Sequence, residues 1–263
     1  MTTRPAALPT FLIVGAQKSG TRWLAHQLND HPEIFVAPGE PEFFNHRFAE
    51  GPEVYATHFV DGAHLSHRGE STPGYMFHRE NPDRIAGRVL DTLGPDVSIF
   101  AILRDPVERT RSAYIHHLQR DRIDPAVDPL AYLAELDVDG DPWGLITGGW
   151  YAAGLTPYRE RFGPRLRVLF HDRLRSDAVG LYREALDHLG VEDGNYVPAE
   201  LTAPRNSNRP RLLARHPDHP ILTLDAAALR SAVGHHFDDD SAALTALIDH
   251  PMPWTVGAET ETS

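Results

Sequence analysis

Residues 11–29 constrain this chain more than any other stretch. Phe11-Leu12-Ile13-Val14 is a short, wholly apolar run ending in Gly15, the pattern of a strand buried on both faces. A loop bounded by glycines follows, Gly15-Ala16-Gln17-Lys18-Ser19-Gly20, and then Thr21–Asn29 carries Trp23, Leu24 and Leu28 at helical spacing. Such a loop turns successive backbone N–H groups toward one point, and the helix that follows adds the positive end of its dipole. Glycine lets the backbone approach an anion closely. The pattern is that of a phosphate-binding loop, and a loop of this kind requires a strand and a helix to hold it.

The same alternation continues along the chain. Ile34-Phe35-Val36, closed by Pro38-Gly39, reads as a second strand. Val97–Leu103 reads as a buried strand followed by a helix over Val107–Arg120. Leu166–Phe170 is a further strand, and Val179–Leu189 a helix ended by Gly190. Asp225–Val233 and Ser241–Ile248 read as late helices. Alternating strands and helices argue an α/β fold: a P-loop-type central parallel sheet flanked by helices, in a single domain. That domain is expected to span residues 10–254, between a flexible N-terminus at 1–9 and a flexible tail at 255–263. Asp121–Pro142, rich in Asp and Pro, reads as an insertion or a partly helical lid.

Composition narrows the function. With no cysteine, disulfides, thiolate metal sites and cysteine nucleophiles are excluded. A net charge of −12 argues against a nucleic-acid polymer as partner, while leaving room for a local basic pocket. No apolar run approaches the roughly 18 residues of a membrane span, and Met1–Pro9 lacks an apolar signal core, so a cytoplasmic protein without membrane attachment is expected. The 16 histidines include no pair at strong zinc spacing, so no metal is expected, although five of them fall between His46 and His78. Basic residues total 25, and Lys18 is the only lysine among them. Arginine supplies charge everywhere else, so position 18 is the one that keeps a compact ammonium.

The spacing around Lys18 decides which phosphate loop this is. Gly15-x4-Gly20 matches the start of a Walker A loop, but Walker A puts lysine directly after the second glycine, where this chain has Thr21. The strand Val97–Leu103 runs into Arg104 rather than an acidic metal ligand. An Mg-nucleotide kinase or NTPase is therefore the weaker reading. Gln17-Lys18-Ser19-Gly20-Thr21 resembles the 5′-phosphosulfate loop of the sulfotransferase superfamily, in which lysine precedes Ser-Gly-Thr, and Val14–Thr21 looks most like the heparan sulfate sulfotransferase branch with its bacterial relatives. Arg104-Asp105-Pro106, then Arg109, then Ser112 and Tyr114, is similar to the family's 3′-phosphate motif. The resemblance covers roughly residues 10–215.

It implies PAPS as donor and PAP as product, with Gln17, Lys18, Ser19, Gly20, Thr21 and Arg22 at the 5′ side and Arg104 and Ser112 at the 3′ side. Gly149-Trp150-Tyr151-x3-Leu155-x2-Tyr158 is similar to a segment that shapes the family's nucleotide site, which gives Tyr151 either a donor contact or a core position. Arg205–Arg211 resembles the late loop over the 3′-phosphate, with one of Arg209 and Arg211 touching the donor.

On the acceptor side, Glu40-Pro41-Glu42-Phe43-Phe44 resembles the segment that carries the family's general base. Glu40 matches by its distance to the two phenylalanines. Glu42 is the other carboxylate in reach. Burial beside the aromatics is expected to lift the Glu40 pKa toward a working range. Phe44, His46, Thr72 and Tyr75 are the expected acceptor-side residues, Thr72 and Tyr75 through a Glu-Lys-Thr/Ser-Pro-x-Tyr resemblance at Glu70–Tyr75. Two departures stand out: Gly39 and Ser71 occupy positions where relatives carry lysine. They point to an acceptor less anionic than a glycosaminoglycan, such as a small molecule or glycoside, secondary metabolites included. A non-catalytic nucleotide-binding relative is the remaining alternative. Oligomeric state has no signature in the sequence.

Overall fold

The computed structural model describes residues 8–137, 139–192, 196–201 and 209–254. Expectations for the two terminal tails beyond those limits, and for Arg205–Asn208, fall outside the described residues.

The elements run β1 (Phe11–Gly15), α1 (Thr21–Asn29), β2 (Ile34–Val36), α2 (Pro52–Ala56), β3 (His67–Ser71), α3 (Pro82–Leu93) and β4 (Ser98–Leu103). Then come α4 (Pro106–Leu118), α5 (Pro129–Ala134), α6 (Tyr151–Phe162), β5 (Leu166–Phe170), α7 (Arg173–Ser176) and α8 (Ala178–Leu189). The last helices are α9 (Arg209–Arg215), α10 (Ala226–Val233) and α11 (Asp238–Ile248). The five strands form one sheet in the order β2-β3-β1-β4-β5, all neighbours parallel. This is the α/β domain expected from the sequence. Within it the chain packs as two compact units, Met1–Leu103 with Gly154–Arg205, and Arg104–Ala153 with Asn206–Ser263.

The first unit holds the whole sheet. Every residue of β1 and β4 is buried, as befits parallel strands covered on both faces. Phe11 and Phe100 meet edge to face at 6.0 Å, and Trp23, Leu24 and Leu28 of α1 pack on the same core as Leu181, Tyr182 and Leu186 of α8. Each such side chain contributes roughly 1.5–3 kcal/mol by leaving water. β3 is the strand the apolar pattern does not reveal: His67-Arg68-Gly69-Glu70-Ser71 has no large apolar residue, yet Gly69, Glu70 and Ser71 are buried. It lies between β1 and β2, pairing Phe11 with Gly69 and Ile34 with His67. A side chain at position 69 would meet the Phe11 ring at 2.1 Å, so the strand carries glycine there.

Chain crossings on both sides of β1 make it the switch point of the sheet, where α/β folds open a crevice at the carboxyl ends of their strands. Hydrogen bonds continue past the strands at that edge: Ala16 N–H donates to the Ile102 carbonyl at 2.9 Å, and Thr72 N–H to the Ile13 carbonyl at 3.1 Å. The loops after β1 and β3 are thus fixed to the sheet.

The second unit is helical among its described residues. Its core gathers Val107, Tyr114 and Leu118 of α4 with Leu133, Leu145, Ile146, Leu229 and Phe237. The insertion Asp121–Pro142 is partly helical through α5. The basic stretch expected as a loop through Arg211 is helical from Arg209 onward.

Candidate active site

The loop after β1 has the geometry of an anion cradle. Lys18 takes a left-handed conformation at φ 71°, and Gly20, at φ 111°, is the N-cap of α1 and supplies no side-chain cap of its own. The first N–H groups of a helix are the ones a bound anion satisfies. Ser19 is fully buried in the loop, and its Oγ has no hydrogen-bond partner. That hydroxyl is free to hydrogen-bond to a group bound in the loop. Lys18 is half-buried, Thr21 buried, and Gln17 and Arg22 exposed. The residues fit a phosphate-bearing ligand. Gly15 has a further reason for being glycine: a Cβ there would meet the Met76 side chain at 2.2 Å.

In the second unit, Asp105 caps α4 by accepting from Val107 N–H at 2.9 Å and Glu108 N–H at 3.4 Å, with Pro106 at the first helical position. Asp105 also pairs with Arg230. Arg104 directly precedes this cap and is half-buried, with its guanidinium 3.3 Å from Glu108. Ser112, two turns into α4, is half-buried. Tyr151 is a core residue, 1% exposed, and its hydroxyl donates to the Arg104 carbonyl at 2.8 Å. Tyr151 thus packs in the core and holds the backbone of Arg104. Arg111 donates to the Leu224 carbonyl at 2.9 Å, and Arg109 is completely buried. Arg211 lies exposed on α9, and for Arg209 only the helical backbone is described.

The acceptor-side residues are arranged differently from expectation. Glu40 and Glu42 are both exposed, so Glu40 is not buried beside the aromatics as expected. The buried carboxylate belongs to Glu70, on β3, with no exposed surface. Three hydroxyls donate to it: Tyr55 Oη at 2.8 Å and Tyr75 Oη at 2.7 Å to Oε1, and Thr72 Oγ1 at 2.6 Å to Oε2. Burial raises the Glu70 pKa, opposed by those hydrogen bonds, and the charge of Glu40 adds a smaller upward push. Burial likewise lifts the hydroxyls of Tyr55 and Tyr75 well above the usual tyrosine range.

Phe44 and Tyr75 are 0% exposed and Thr72 is 1% exposed, so all three face the protein interior rather than an open wall. Phe44 meets Tyr75 edge to face at 5.5 Å and Tyr55 at 5.2 Å, and Tyr158 donates to the Tyr75 carbonyl at 3.0 Å. His46 is the exposed member, 3.6 Å from Glu80. Ser71 is buried, and Gly39 is exposed at φ 79°. Sequence reasoning missed Glu70 as a centre. The signal was its place two residues before a threonine and five before a tyrosine on a polar strand.

Among the described residues no three of His, Asp or Glu gather as a metal-binding group, and no helix is long and apolar enough to cross a membrane.

A parallel sheet switching at β1, with a lysine-bearing loop at its carboxyl edge, defines a P-loop-type α/β fold. No protein-family model matches the chain. Heparan sulfate glucosamine 3-O-sulfotransferase 3A1 of Mus musculus is 31% identical over 188 residues, 70% of this chain and 46% of that protein. Heparan sulfate glucosamine 3-O-sulfotransferase 6 of Homo sapiens is 32% identical over 189 residues, 70% of this chain and 53% of that protein. The chain thus spans about half the length of the curated relatives it matches. A crystal structure of a sulfotransferase from Alicyclobacillus acidocaldarius superposes with a TM-score of 0.70 at 27% identity, covering 94% of this chain and 98% of that one. The chain belongs to the sulfotransferase superfamily and resembles its heparan sulfate branch.

Proposed function

We propose that this chain transfers a sulfuryl group from PAPS to a hydroxyl, or less favourably an amine, of a small-molecule or glycoside acceptor. The observation that carries the reading is the Gln17–Thr21 loop: a lysine three residues before Thr21, a buried Ser19, and a glycine at the N-cap of α1. The loop suits the 5′-phosphosulfate, and Arg104 and Ser112 are the residues for the 3′-phosphate.

The chemistry then asks little of the protein beyond positioning and charge. Glu40 takes the proton of the acceptor O–H as the new O–S bond forms. The S–O bond to the donor phosphate breaks, PAP departs, and Lys18 stabilises the negative charge left on its 5′-phosphate. Exposure of Glu40 leaves it reachable by an acceptor. Ser71 and Gly39 take away two cations from the acceptor side, which favours an acceptor of lower negative charge than a heparan-type chain.

The test is a labelled-PAPS transfer screen over glycosides, phenols, hydroxylated natural products and a heparan-type chain. Transfer by the wild type, lost in Glu40→Gln while PAP binding stays, supports the reading. Tighter binding of ATP with Mg²⁺ than of PAP by calorimetry, or transfer undiminished in Glu40→Gln, sinks it. A heparan-type chain emerging as the best acceptor sinks the acceptor assignment alone.

A further inference from the structure

We infer that Glu70 is a positioning residue that fixes the Glu40–Phe44 backbone through two hydroxyl relays, and so sets the placement of the base. The inference rests on the reading of Glu40 as that base.

The turn after Glu40 is a strained one. Glu42 is a non-glycine residue in the left-handed region, at φ 53°, and it opens a π-helical turn over Phe43–Arg47. Both features are uncommon and persist only where surroundings hold them. Arg88 contributes by donating to the Phe44 carbonyl at 2.7 Å, and two amide hydrogen bonds hold the turn from the β3 side. Glu42 N–H donates to Thr72 Oγ1 at 3.3 Å, and Phe44 N–H donates to Tyr75 Oη at 3.3 Å. Each of those oxygens belongs to a hydroxyl that donates onward to Glu70.

The direction of the chain is set by chemistry. A hydroxyl has one hydrogen to give. Ionised Glu70 accepts from both, turning the hydroxyl oxygens toward the two amides, and each relay is then complete: amide to hydroxyl to carboxylate. Protonating Glu70 at Oε2 makes that oxygen a donor and leaves the Thr72 hydrogen without an acceptor in a buried site. Tyr55 adds a third donor to the same carboxylate and stacks on Phe43 at 4.2 Å, tying the aromatic side of the turn to the same centre. Glu70 itself is sealed from solvent, so it acts through the turn rather than on a substrate.

The experiment combines amide hydrogen exchange by NMR with transfer kinetics on full-length Glu70→Gln, Thr72→Val and Tyr75→Phe. Glu70→Gln is expected to speed exchange at both Glu42 and Phe44 at least tenfold, leaving Leu24 in α1 unchanged. Thr72→Val is expected to move Glu42 alone, and Tyr75→Phe to move Phe44 alone. In each variant kcat falls while the KM for PAPS stays, a split that general loosening of the fold does not produce. Unchanged exchange at both amides across the variants overturns the relay. Faster exchange with kcat unmoved overturns the link from Glu70 to the base. A wild type that binds PAP yet transfers nothing overturns the catalytic reading instead, and the exchange pattern still decides the tether.

Discussion

Replacing Asp141 with alanine is expected to destabilise the protein by about 4 kcal/mol. Asp141 is 0% exposed and accepts four hydrogen bonds: Leu145 N–H at 2.8 Å, Ile146 N–H at 2.9 Å, Thr147 N–H at 2.9 Å and the Thr147 hydroxyl at 3.0 Å. The carboxylate therefore organises the whole loop before Trp150. α4 grips the same loop from the other side, with Arg109 donating to the Leu145 carbonyl at 2.6 Å and Thr110 Oγ1 at 2.8 Å. Alanine strips the acceptor from all four donors at once. A buried donor left unsatisfied costs roughly 1–3 kcal/mol, and water entering the small space offsets part of it, so about 1 kcal/mol for each is a conservative figure. In a chain of this size about 4 kcal/mol lowers Tm by roughly 10 °C. Asparagine should recover less than half, because its NH2 group points a donor at donors. Scanning calorimetry on the three proteins reads the result directly. A drop under about 3 °C for Asp141→Ala refutes the claim that this carboxylate holds the loop.

Three further outcomes follow from the geometry. Gly20→Ala places a Cβ at φ 111° and 3.2–3.3 Å from Ile102, His171 and Leu174, and is expected to cost about 2 kcal/mol by denaturant titration, with PAP binding weakened as well. Arg104→Lys replaces a forked donor by a point charge, and is expected to weaken PAP binding about tenfold in calorimetry while kcat at saturating donor holds. For Glu70, whose folded pKa is raised by burial, the sign is fixed by linkage: its contribution to stability is present below the unfolded carboxylate pKa and declines as pH rises through the folded one. Chemical denaturation of wild type and Glu70→Gln across pH 4 to 8 should therefore show the difference moving in favour of the variant as pH rises; a parallel pair of curves contradicts the raised pKa.

The parts of the fold legible in the sequence are those whose chemistry is apolar and local. β1, α1, β2 and β5 fall where the patterns of Phe11–Val14, Thr21–Asn29, Ile34–Val36 and Leu166–Phe170 put them. Asp105-Pro106 announces the cap of α4 by residue type alone. β3 escapes notice because a strand held between two others needs no apolar residue of its own when glycine makes room for Phe11. α3 did carry a signal, with Ile85, Ala86, Val89 and Leu93 at helical spacing behind an Asn81 cap. The site divides in the same way. The loop at Lys18 is a matter of spacing, and spacing is readable. Which carboxylate is buried depends on tertiary packing that spacing does not encode, so Glu40, expected buried, is exposed and Glu70 is the buried one.

The half-buried Lys18 bears the only side-chain amine in the chain, and there is no thiol. Amine-selective acylation consequently has a single side-chain address, with an α-amino group as the other kind of amine. The mass of one adduct becomes a direct occupancy gauge for the loop: a molecule seated over it shields that amine, and the label's absence reports the binding without any assay of turnover. Few proteins place their own reporter at the point of interest with no engineering, and compounds of unknown affinity can be ranked on this one by shielding alone.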